Sequence, residues 1–392
     1  MSTPSHEHRA PATSTHRINY GSGLELYERL GQVGEGTYGK VYKARNRETG
    51  QLVALKRIRM ETERDGFPIT AMREMKLLQS MCHDNVVKLY EVMILKGSVY
   101  LVFEYMDYDL AGVQAHPMIQ WRDVHVKCLL RQLLSGLDYL HQKGILHRDI
   151  KGSNLLLSRK GELKLTDFGL ARWYRPDQPI DYTNRVVTLW YRPPELLLGE
   201  TKYGPEIDLW GAGCILLELL TGKPPFQGHD EISQLEQIYQ VMGAPNPQTW
   251  PQVVDLPWYH LIRPKEAYPS IFHERYASIL SPGTFALAEQ LLSMNPAHRP
   301  TAQQALAHAY FTEAPLPCSP DELPKMEGDW HEFESKQRQK KRQLSSAASA
   351  TTTQSGQEGS TVQKRPLDTT MTLLKEEPEA KRMALSSATS PS

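Results

Sequence analysis

A glycine-rich segment between two strand-like runs constrains the fold of this chain most. It reads Gly-Glu-Gly-Thr-Tyr-Gly-Lys-Val over residues 34–41, and the flanking residues 27–33 and 41–45 are typical of β-strands. The pattern G-x-G-x-x-G between two strands predicts a β-hairpin, whereas a dinucleotide-binding fold would place it between a strand and a helix. Glycine lets backbone amides approach phosphate oxygens closely, so the hairpin is a candidate phosphate-binding element. An ordinary glycine-rich turn is the alternative.

Composition divides the 392 residues into zones. Residues 1–23 are polar and are predicted to form a disordered tail. Residues 27–311 have the composition of a globular domain, and residues 312–344 are predicted to be an extension that contains a basic helix. Residues 345–392 are rich in Ser, Thr, Ala and Gln and cannot bury enough apolar surface to offset their ordering entropy. This last zone is therefore also predicted to be disordered.

Several classes of protein are disfavoured by charge and hydropathy. The 45 basic and 45 acidic residues balance, so no global field attracts nucleic acid or a membrane surface. Residues 209–220 form the most apolar stretch, but they are interrupted by Glu218 and are shorter than the roughly 20 residues of a bilayer span. We interpret them as a core helix of a soluble protein with no membrane partner. The four cysteines show no metal-ligand or disulfide spacing, which suits buried, reduced thiols in the cytosol or nucleus.

The pattern of apolar residues predicts two lobes. Strands are expected at 52–59 and 99–103 in addition to those around the glycine-rich segment. Helices are expected at 69–81 and 124–141, where leucines recur at helical spacing in the second. The fold class is therefore α+β, with a small β-rich lobe at 27–105 and a larger α-helical lobe at 106–311. A cleft between two such lobes is a common place for a cofactor.

A lysine in an apolar strand is the next candidate functional residue. Lys56 ends the run Val-Ala-Leu-Lys, an expensive position for an ammonium group unless anionic partners surround it. We expect Lys56 to face phosphate groups and to pair with Glu74 in the helix that follows. A solvated surface position is the alternative for Glu74.

Two further motifs lie in the second lobe. His147-Arg148-Asp149 followed by Asn154 is spaced as in the catalytic loop of protein kinases, H-R-D-x-x-x-x-N, and Asp167-Phe168-Gly169 comes after it. In that reading Asp149 orients an acceptor hydroxyl and takes its proton, and Lys151 neutralises charge on the transferred phosphoryl group. Asn154 and Asp167 would hold Mg²⁺. The order and separation of all the motifs make a chance match negligible.

With these motifs in place, the chain resembles the eukaryotic protein kinases over residues 27–311. Pro194-Glu195 stands where that family has A-P-E, with Pro193 in place of the alanine, and Arg299 looks like the buried partner of Glu195. Asp208, Trp210 and Gly213 look like the family's D-x-W-x-x-G helix. The resemblance implies a two-lobed kinase fold with ATP and Mg²⁺ as cofactors. It implies ATP-binding residues at Val33, Gly34, Glu35, Gly36, Thr37, Tyr38, Gly39, Lys40, Val41, Ala54, Lys56, Glu74, Glu104, Met106 and Asp109.

Within that family the chain is similar to the cyclin-dependent kinases. Residues 68–74 look like their cyclin-contacting helix and residues 182–192 like their activation segment. The resemblance implies that a cyclin pushes Glu74 toward Lys56, and that the chain alone is nearly inactive. It also implies that an activating kinase phosphorylates Thr183, and that arginines bind the phosphate through charge-assisted bonds. The phosphate-binding residues would be Arg73, Arg148 and Arg172, and the pocket for a substrate proline would involve Val186, Val187 and Arg192.

The motif Pro-Ile-Thr-Ala-Met-Arg-Glu at 68–74 is similar to the transcription-elongation branch, whose members phosphorylate the C-terminal repeats of RNA polymerase II. Residues 329–334, followed by basic residues, resemble the extension of the branch members that pair with a K-type cyclin. This implies a nuclear enzyme with a K- or T-like cyclin and with Ser/Thr-Pro substrates. It also implies that His331 and Glu332 approach ATP. A solvated basic helix or a nuclear import signal is the alternative for the basic residues.

Other hypotheses follow from the same residues. A cyclin-dependent kinase of another branch would act on different proline-directed substrates, and a pseudokinase scaffold would bind partners without phosphotransfer. The complete set of polar motif residues argues against the scaffold. A nucleic-acid binder using the basic stretch after Ser335 is a third possibility, in which binding would be accessory. Thr37 and Tyr38 resemble inhibitory phosphorylation sites of cell-cycle members.

Overall fold

The computed structural model describes residues 17–20, 23–36, 39–58, 69–95, 98–178, 180–264, 268–338 and 340. The predicted disordered tail at 345–392 and most of the tail at 1–23 lie outside these ranges. Thr37 and Tyr38 also lie outside them.

The first lobe is a twisted sheet with one helix. Its neighbouring strands are antiparallel, except that the first strand runs parallel to the fifth. The sheet order is β1-β5-β6-β4-β3-β2. The elements are β1 (Arg17–Tyr20), β2 (Tyr27–Gly36), β3 (Gly39–Asn46), β4 (Leu52–Ile58), α1 (Ile69–Gln79), β5 (Leu89–Leu95) and β6 (Ser98–Glu104). The predicted hairpin around the glycine-rich segment is formed by β2 and β3.

Alternation along β4 explains how this lobe presents a charged residue to the cleft. Val53 and Leu55 are buried in a small core on one face of the sheet. Because side chains of a strand alternate between faces, Ala54 and Lys56 point to the opposite face. That face is turned toward the second lobe, where the cleft is lined by both residues.

Two strands of this lobe differ from the sequence-based prediction. Residues 17–20 were predicted to belong to a disordered tail, but they form β1 and pair with β5 from Glu91 to Ile94. The strand Leu89–Leu95 was not predicted, because a polar glutamate interrupts its apolar pattern. The edge of a sheet has unpaired amides and carbonyls, and hydrogen bonds to these groups stabilise the short strand β1. Composition alone does not reveal such a strand.

The second lobe is mainly helical. Short strands at the cleft form one three-stranded sheet and one two-stranded pair. The strands are β7 (Tyr108–Asp109), β8 (Ile145–Leu146), β9 (Leu155–Leu157), β10 (Leu163–Leu165) and β11 (Arg172–Trp173). The helices are α2 (Leu110–Gln114), α3 (Asp123–Gln142), α4 (Pro194–Leu197), α5 (Glu206–Thr221), α6 (Glu231–Met242), α7 (Tyr259–Ile262), α8 (Phe272–Tyr276), α9 (Pro282–Leu291) and α10 (Ala302–Leu306).

Helices α3 and α5 form the centre of this lobe. The leucine-rich face of α3 is buried, and its bounds lie within one residue of the predicted helix at each end. Helix α5 is buried along most of its length, as predicted for the apolar stretch that it contains. Among the described residues, no helix is long and apolar enough to cross a membrane. Cys128 and Cys214 are buried free thiols, as predicted, whereas Cys318 is half-buried and Cys82 is exposed, so the prediction of buried cysteines is wrong for Cys82 and only partly right for Cys318.

The chain after α10 returns along the second lobe to the junction between the lobes. The backbone amide of Cys318 donates to the carbonyl of Val124 at 3.1 Å. Farther along, the Tyr108 hydroxyl donates to the carbonyl of Met326 at 2.6 Å. Residues 332–338 are helical and carry exposed basic side chains, in the region where a basic helix was predicted.

A buried ion pair joins distant parts of the second lobe. The guanidinium of Arg299 donates two bonds to the carboxylate of Glu195, at 2.6 and 2.7 Å. The Arg299 side chain is fully buried, and its guanidinium lies 4.9 Å from the ring centroid of Trp210. The pair predicted from the sequence is therefore present, and it fixes α4 against the segment before α10.

Replacing Arg299 by alanine should lower the free energy of unfolding by about 3–5 kcal/mol, because the Glu195 carboxylate would stay buried without its partner. Denaturant unfolding followed by tryptophan fluorescence measures this change. The matched control is Arg159→Ala, which removes a guanidinium that pairs with Asp107 at 2.8 Å but is 57% exposed. A loss below about 1 kcal/mol is expected for the control. Equal losses for the two variants would contradict the anchoring role of the buried pair.

Candidate active site

A cavity of about 470 Å³ lies between the two lobes. Eleven of the fifteen residues predicted to bind ATP line it, together with residues of both second-lobe motifs. The predicted residues that line it are Val33, Gly34, Glu35, Gly39, Val41, Ala54, Lys56, Glu74, Glu104, Met106, Asp109, Asp149, Lys151, Asn154 and Asp167. The fold therefore gathers into one cleft residues that are far apart in the sequence.

Lys40 belongs to the predicted ATP set but is not among the lining residues. It lies 3.8 Å from Glu35 in a largely exposed ion pair. Lys40 is thus part of the hairpin without contributing to the cavity wall. Gly36 pairs with Gly39 at the turn of the hairpin.

Other lining residues were not predicted. They include Val87, Phe103, Tyr105, Leu156, Thr166 and Phe333. Most of them are apolar or aromatic residues, and their sequence pattern is that of ordinary core residues. No local signal distinguishes a side chain that faces a cavity from one that faces the core.

Lys56 is the main electrostatic link across the cleft. Its Nζ lies 2.7 Å from Oε1 of Glu74 and 3.0 Å from Oδ1 of Asp167. Burial alone would lower the pKa of Lys56, but the two carboxylates outweigh it and raise the pKa above its usual range. The positive charge of Lys56 in turn lowers the pKa of Asp167. The lysine is therefore an ammonium ion and Asp167 is a carboxylate at neutral pH.

The pair predicted between Lys56 and Glu74 is present in the structure. Glu74 is buried on the inner face of α1, whereas Met72 and Arg73 are exposed on its outer face. The position of α1 thus places the carboxylate of Glu74 beside Lys56. That a partner protein pushes Glu74 toward Lys56 remains a prediction.

The catalytic-loop motif is held by a carboxylate from α5. Asp208 is 1% exposed, and its two oxygens accept the backbone amides of His147 at 2.9 Å and Arg148 at 2.8 Å. Burial works to raise the pKa of Asp208, but hydrogen bonds from His141 and the His147 amide lower it overall. Arg148 has φ of 67°, a conformation that non-glycine residues rarely adopt. The charged acceptor of Asp208 stabilises this strained turn.

The turn presents Asp149 to the cavity. Its Oδ2 accepts from Nδ2 of Asn154 at 2.8 Å and lies 2.8 Å from Nζ of Lys151. Its Oδ1 accepts the hydroxyl of Thr188 at 2.8 Å. These bonds fix the orientation of the carboxylate. A hydroxyl in the position of the Thr188 side chain can therefore donate its proton to Asp149.

Asp167 and Asn154 have the donor chemistry of a magnesium site. One supplies a carboxylate and the other an amide oxygen, and both line the same cavity. Among the described residues, no group of three or more His, Cys, Asp or Glu could hold a metal ion by itself. Mg²⁺ is commonly bound through one or two carboxylates with waters and substrate phosphates, so this small ligand set fits it.

The C-terminal extension forms one wall of the cavity. Nε2 of His331 donates to the carbonyl of Met106 at 3.1 Å, and the amide of Glu332 donates to Oδ2 of Asp109 at 2.8 Å. Both extension residues line the cavity, in the region where the sequence predicted their approach to ATP. The other oxygen of Asp109 accepts the amide of Gly112. Burial raises the pKa of Asp109 to about 6.

The extension also contacts the first lobe. The ammonium of Lys43, on β3, donates to Oδ2 of Asp329 and lies 4.5 Å from the ring centroid of Tyr105. Arg159, from the second lobe, lies 3.8 Å from the other oxygen of Asp329. Asp329 therefore connects both lobes at the edge of the cleft.

Two of the predicted phosphate-binding arginines, Arg148 and Arg172, donate to backbone carbonyls before the activation segment. Thr183 is exposed. Arg148 is buried and donates from Nε to the carbonyl of Leu170 at 2.8 Å. Arg172 donates to the carbonyl of Ala171 at 2.9 Å, and Arg73 is exposed on α1.

The end of the activation segment has an unusual backbone. Val187 has φ of 65°, and its carbonyl accepts from Nε and Nη2 of Arg192 at 3.2 and 3.1 Å. Val186 and Val187 are both buried. Val187 therefore has a strained backbone, and its carbonyl is engaged by the guanidinium of Arg192.

Comparisons with known proteins agree with this geometry. The protein kinase domain model matches residues 27–311. The chain is 56% identical over 317 residues to "CTD kinase subunit alpha" of Schizosaccharomyces pombe, covering 81% of this chain and 54% of that protein. It is 48% identical to "Cyclin-dependent kinase C-1" of Oryza sativa, covering 84% of this chain and 67% of that protein. The chain thus spans about half the length of the first of these relatives.

A solved structure is also similar. It is the "yeast RNA Pol II CTD kinase CTDK-1 complex", with a TM-score of 0.71 and 46% identity. The match covers 76% of this chain and 97% of the solved chain. At this identity the likeness extends beyond the fold to the sequence.

Replacing Lys56 by methionine should weaken ATP binding about tenfold or more, because a charge-assisted bond to phosphate is lost. Adenosine, which has no phosphate, should bind within about twofold of its original affinity. Isothermal titration with both ligands separates the two effects. Lys40→Met is the matched control, since Lys40 does not line the cavity. Equal losses for ATP and adenosine would show that Lys56 only shapes the cavity.

Proposed function

This chain belongs to the cyclin-dependent kinases of the protein kinase family, and we propose that it transfers the γ-phosphate of ATP to serine or threonine in proteins. The observation that supports this most is the joint placement of Lys56, Asp149 and Asp167 around one cavity. Each has the hydrogen-bond partners that its role requires. A scaffold without phosphotransfer would not need this arrangement.

In the proposed reaction Asp149 orients the acceptor hydroxyl and accepts its proton. The hydroxyl oxygen then forms a bond to the γ-phosphorus, while the bond from that phosphorus to the bridging oxygen breaks and ADP leaves. Lys151, 2.8 Å from Asp149, is positioned to stabilise the charge on the transferred group. Phosphoryl transfer depends mainly on positioning and electrostatics, and these fixed charges supply both.

The ATP phosphates are held by the first lobe in this proposal. Lys56, oriented by Glu74, contacts the α- and β-phosphates, and the backbone of the hairpin covers them. Asp167 and Asn154 hold Mg²⁺. A bound divalent cation neutralises charge on the phosphate oxygens and thereby lowers the barrier.

The proposed substrates carry proline after the acceptor residue. Most residues at that position would bring a backbone N–H that needs an acceptor, and proline has none. The nearby carbonyl of Val187 accepts from Arg192 and is therefore engaged. The repeats of RNA polymerase II are the proposed protein substrate, because the relatives named for that activity are 46–56% identical to this chain. Such a role implies a nuclear location.

A cyclin of the K or T type is the proposed partner. The similar solved chain belongs to a CTD kinase complex. The outer face of α1 exposes Met72, which is 42% accessible, beside Arg73. Because the pair between Lys56 and Glu74 depends on the position of α1, we expect cyclin to stabilise the pair by covering α1. Phosphorylation of Thr183 by an activating kinase would add a charge near Arg148 and Arg172.

Asp149→Asn and Asp167→Asn should each lower kcat roughly 100-fold or more, since one removes the proton acceptor and the other a metal ligand. The assay uses the full chain with a K-type cyclin on polymerase repeat peptides, and thermal unfolding checks the fold. Asp177→Asn, the same type of change at an exposed position that does not line the cavity, serves as the control and should retain activity. Near-normal phosphotransfer by either active-site variant would refute the mechanism.

Repeat peptides with Ser-Pro should be phosphorylated with a kcat/KM roughly ten- to a hundredfold above that of matched Ser-Ala peptides. An unsatisfied amide costs about 1–3 kcal/mol, which corresponds to this factor. Arg192→Leu releases the carbonyl of Val187 and should reduce the preference. Equal kcat/KM values for the two peptides with the unmodified complex would reject the proline-directed proposal.

A further inference from the structure

A buried tyrosine outside the predicted site connects the catalytic loop to the activation segment. Tyr203 lies in the loop before α5 and is 3% exposed. Its hydroxyl accepts from Nη1 of Arg148 at 2.7 Å and donates to the carbonyl of Thr183 at 2.7 Å. One hydroxyl group thus joins the guanidinium of the catalytic-loop arginine to the backbone of the residue proposed for phosphorylation.

Arg148 is coupled to the rest of the site through several bonds. Its Nε donates to the carbonyl of Leu170, just after Asp167-Phe168-Gly169, and its own carbonyl accepts the amide of Val187. It also directly precedes Asp149, the proposed proton acceptor. A shift of Arg148 would therefore be transmitted to both ends of the activation segment.

The residue before Thr183 also packs against Tyr203 and its loop. The amide of Tyr182 donates to the carbonyl of Thr201 at 2.8 Å. The rings of Tyr182 and Tyr203 have centroids 5.3 Å apart. Burial raises the pKa of Tyr203, so its hydroxyl is protonated and able to donate at neutral pH.

We propose that Tyr203 is a positioning residue that holds the activation segment against Arg148 before Thr183 is phosphorylated. The inference rests on the proposed kinase function and adds to it a basal, phosphate-independent state. In this state a neutral hydroxyl performs the tethering that a phosphate would otherwise provide.

Phosphorylation should make the Tyr203 hydroxyl dispensable. A phosphate on Thr183 carries close to two negative charges and three acceptor oxygens at neutral pH. A guanidinium binds such a group more strongly than it binds a neutral hydroxyl, because both partners are charged. The phosphate can then secure Arg148 directly, and the bridge through Tyr203 contributes little.

The test compares Tyr203→Phe with the unmodified chain in two states, with threonine and with phosphothreonine at position 183, each bound to a K-type cyclin. The substitution removes one oxygen and keeps the ring. Without phosphate, kcat/KM should fall about tenfold, the effect of losing a hydrogen bond to a charged group. With phosphothreonine the fall should be less than about twofold. A fall by the same factor in both states would overturn the proposal, since it would indicate a purely structural role.

Tyr182→Phe is the matched control. It removes a neighbouring hydroxyl that donates to the carbonyl of Trp173 at 2.8 Å and does not bridge Arg148 to Thr183. Its effect, whatever its size, should be the same in both phosphorylation states. A phosphate-dependent effect equal to that of Tyr203→Phe would also overturn the assignment to Tyr203.

A second measurement does not require enzyme activity. Arg185 is exposed in the activation segment, so the rate of tryptic cleavage after it reports how firmly the segment is held. Tyr203→Phe should accelerate cleavage about tenfold without phosphate and by less than about twofold with phosphothreonine. An inactive unmodified complex that still shows this cleavage pattern would refute the kinase proposal alone. Unchanged cleavage would refute the role of Tyr203.

Discussion

The carboxylate of Asp208 is the constraint on which the catalytic geometry depends. It is buried, ionised and bonded to two consecutive amides of the catalytic loop, at 2.9 and 2.8 Å. These bonds offset the strain of Arg148, whose φ of 67° would otherwise be unfavourable. Because Asp208 belongs to a buried helix in the centre of the second lobe, the loop takes its position from the core of that lobe. The orientation of Asp149 follows from that position.

A second set of charges joins the lobes across the cleft. Lys56 of the sheet contacts Glu74 of α1 and Asp167 of the second lobe, so one ammonium group fixes three elements. Such a buried charge is tolerated only because both carboxylates compensate for lost hydration. At the opposite edge of the cleft, Asp329 of the C-terminal extension contacts Lys43 and Arg159. The cleft is therefore bounded by ionic contacts on two sides.

On the substrate side of the site, too, hydrogen bonds to charged groups stabilise strained backbone. Two non-glycine residues with positive φ, Arg148 and Val187, are connected by a backbone hydrogen bond of 3.1 Å. Arginine side chains donate hydrogen bonds to polar groups beside these turns. Arg192 donates to the carbonyl of Val187, and Arg148 donates to the hydroxyl of Tyr203. Backbone strain at the site is thus offset by hydrogen bonds to charged groups, which are stronger than hydrogen bonds between neutral groups.

The sequence by itself determined the two-lobed α+β architecture and the residues around Lys56, Asp149 and Asp167, because these depend on local patterns: strand alternation, helical spacing and motifs with fixed separations. The pairing of Glu195 with Arg299 was also predicted, from the resemblance to the protein kinases. Only the tertiary structure decided that residues 17–20 join the sheet and that Tyr203 bridges Arg148 and Thr183. These two features depend on contacts between segments whose own sequences do not specify them. The energy of such a contact depends on how deeply the two groups are buried and on the spatial distance between them. Both the burial and the distance are set when the chain folds.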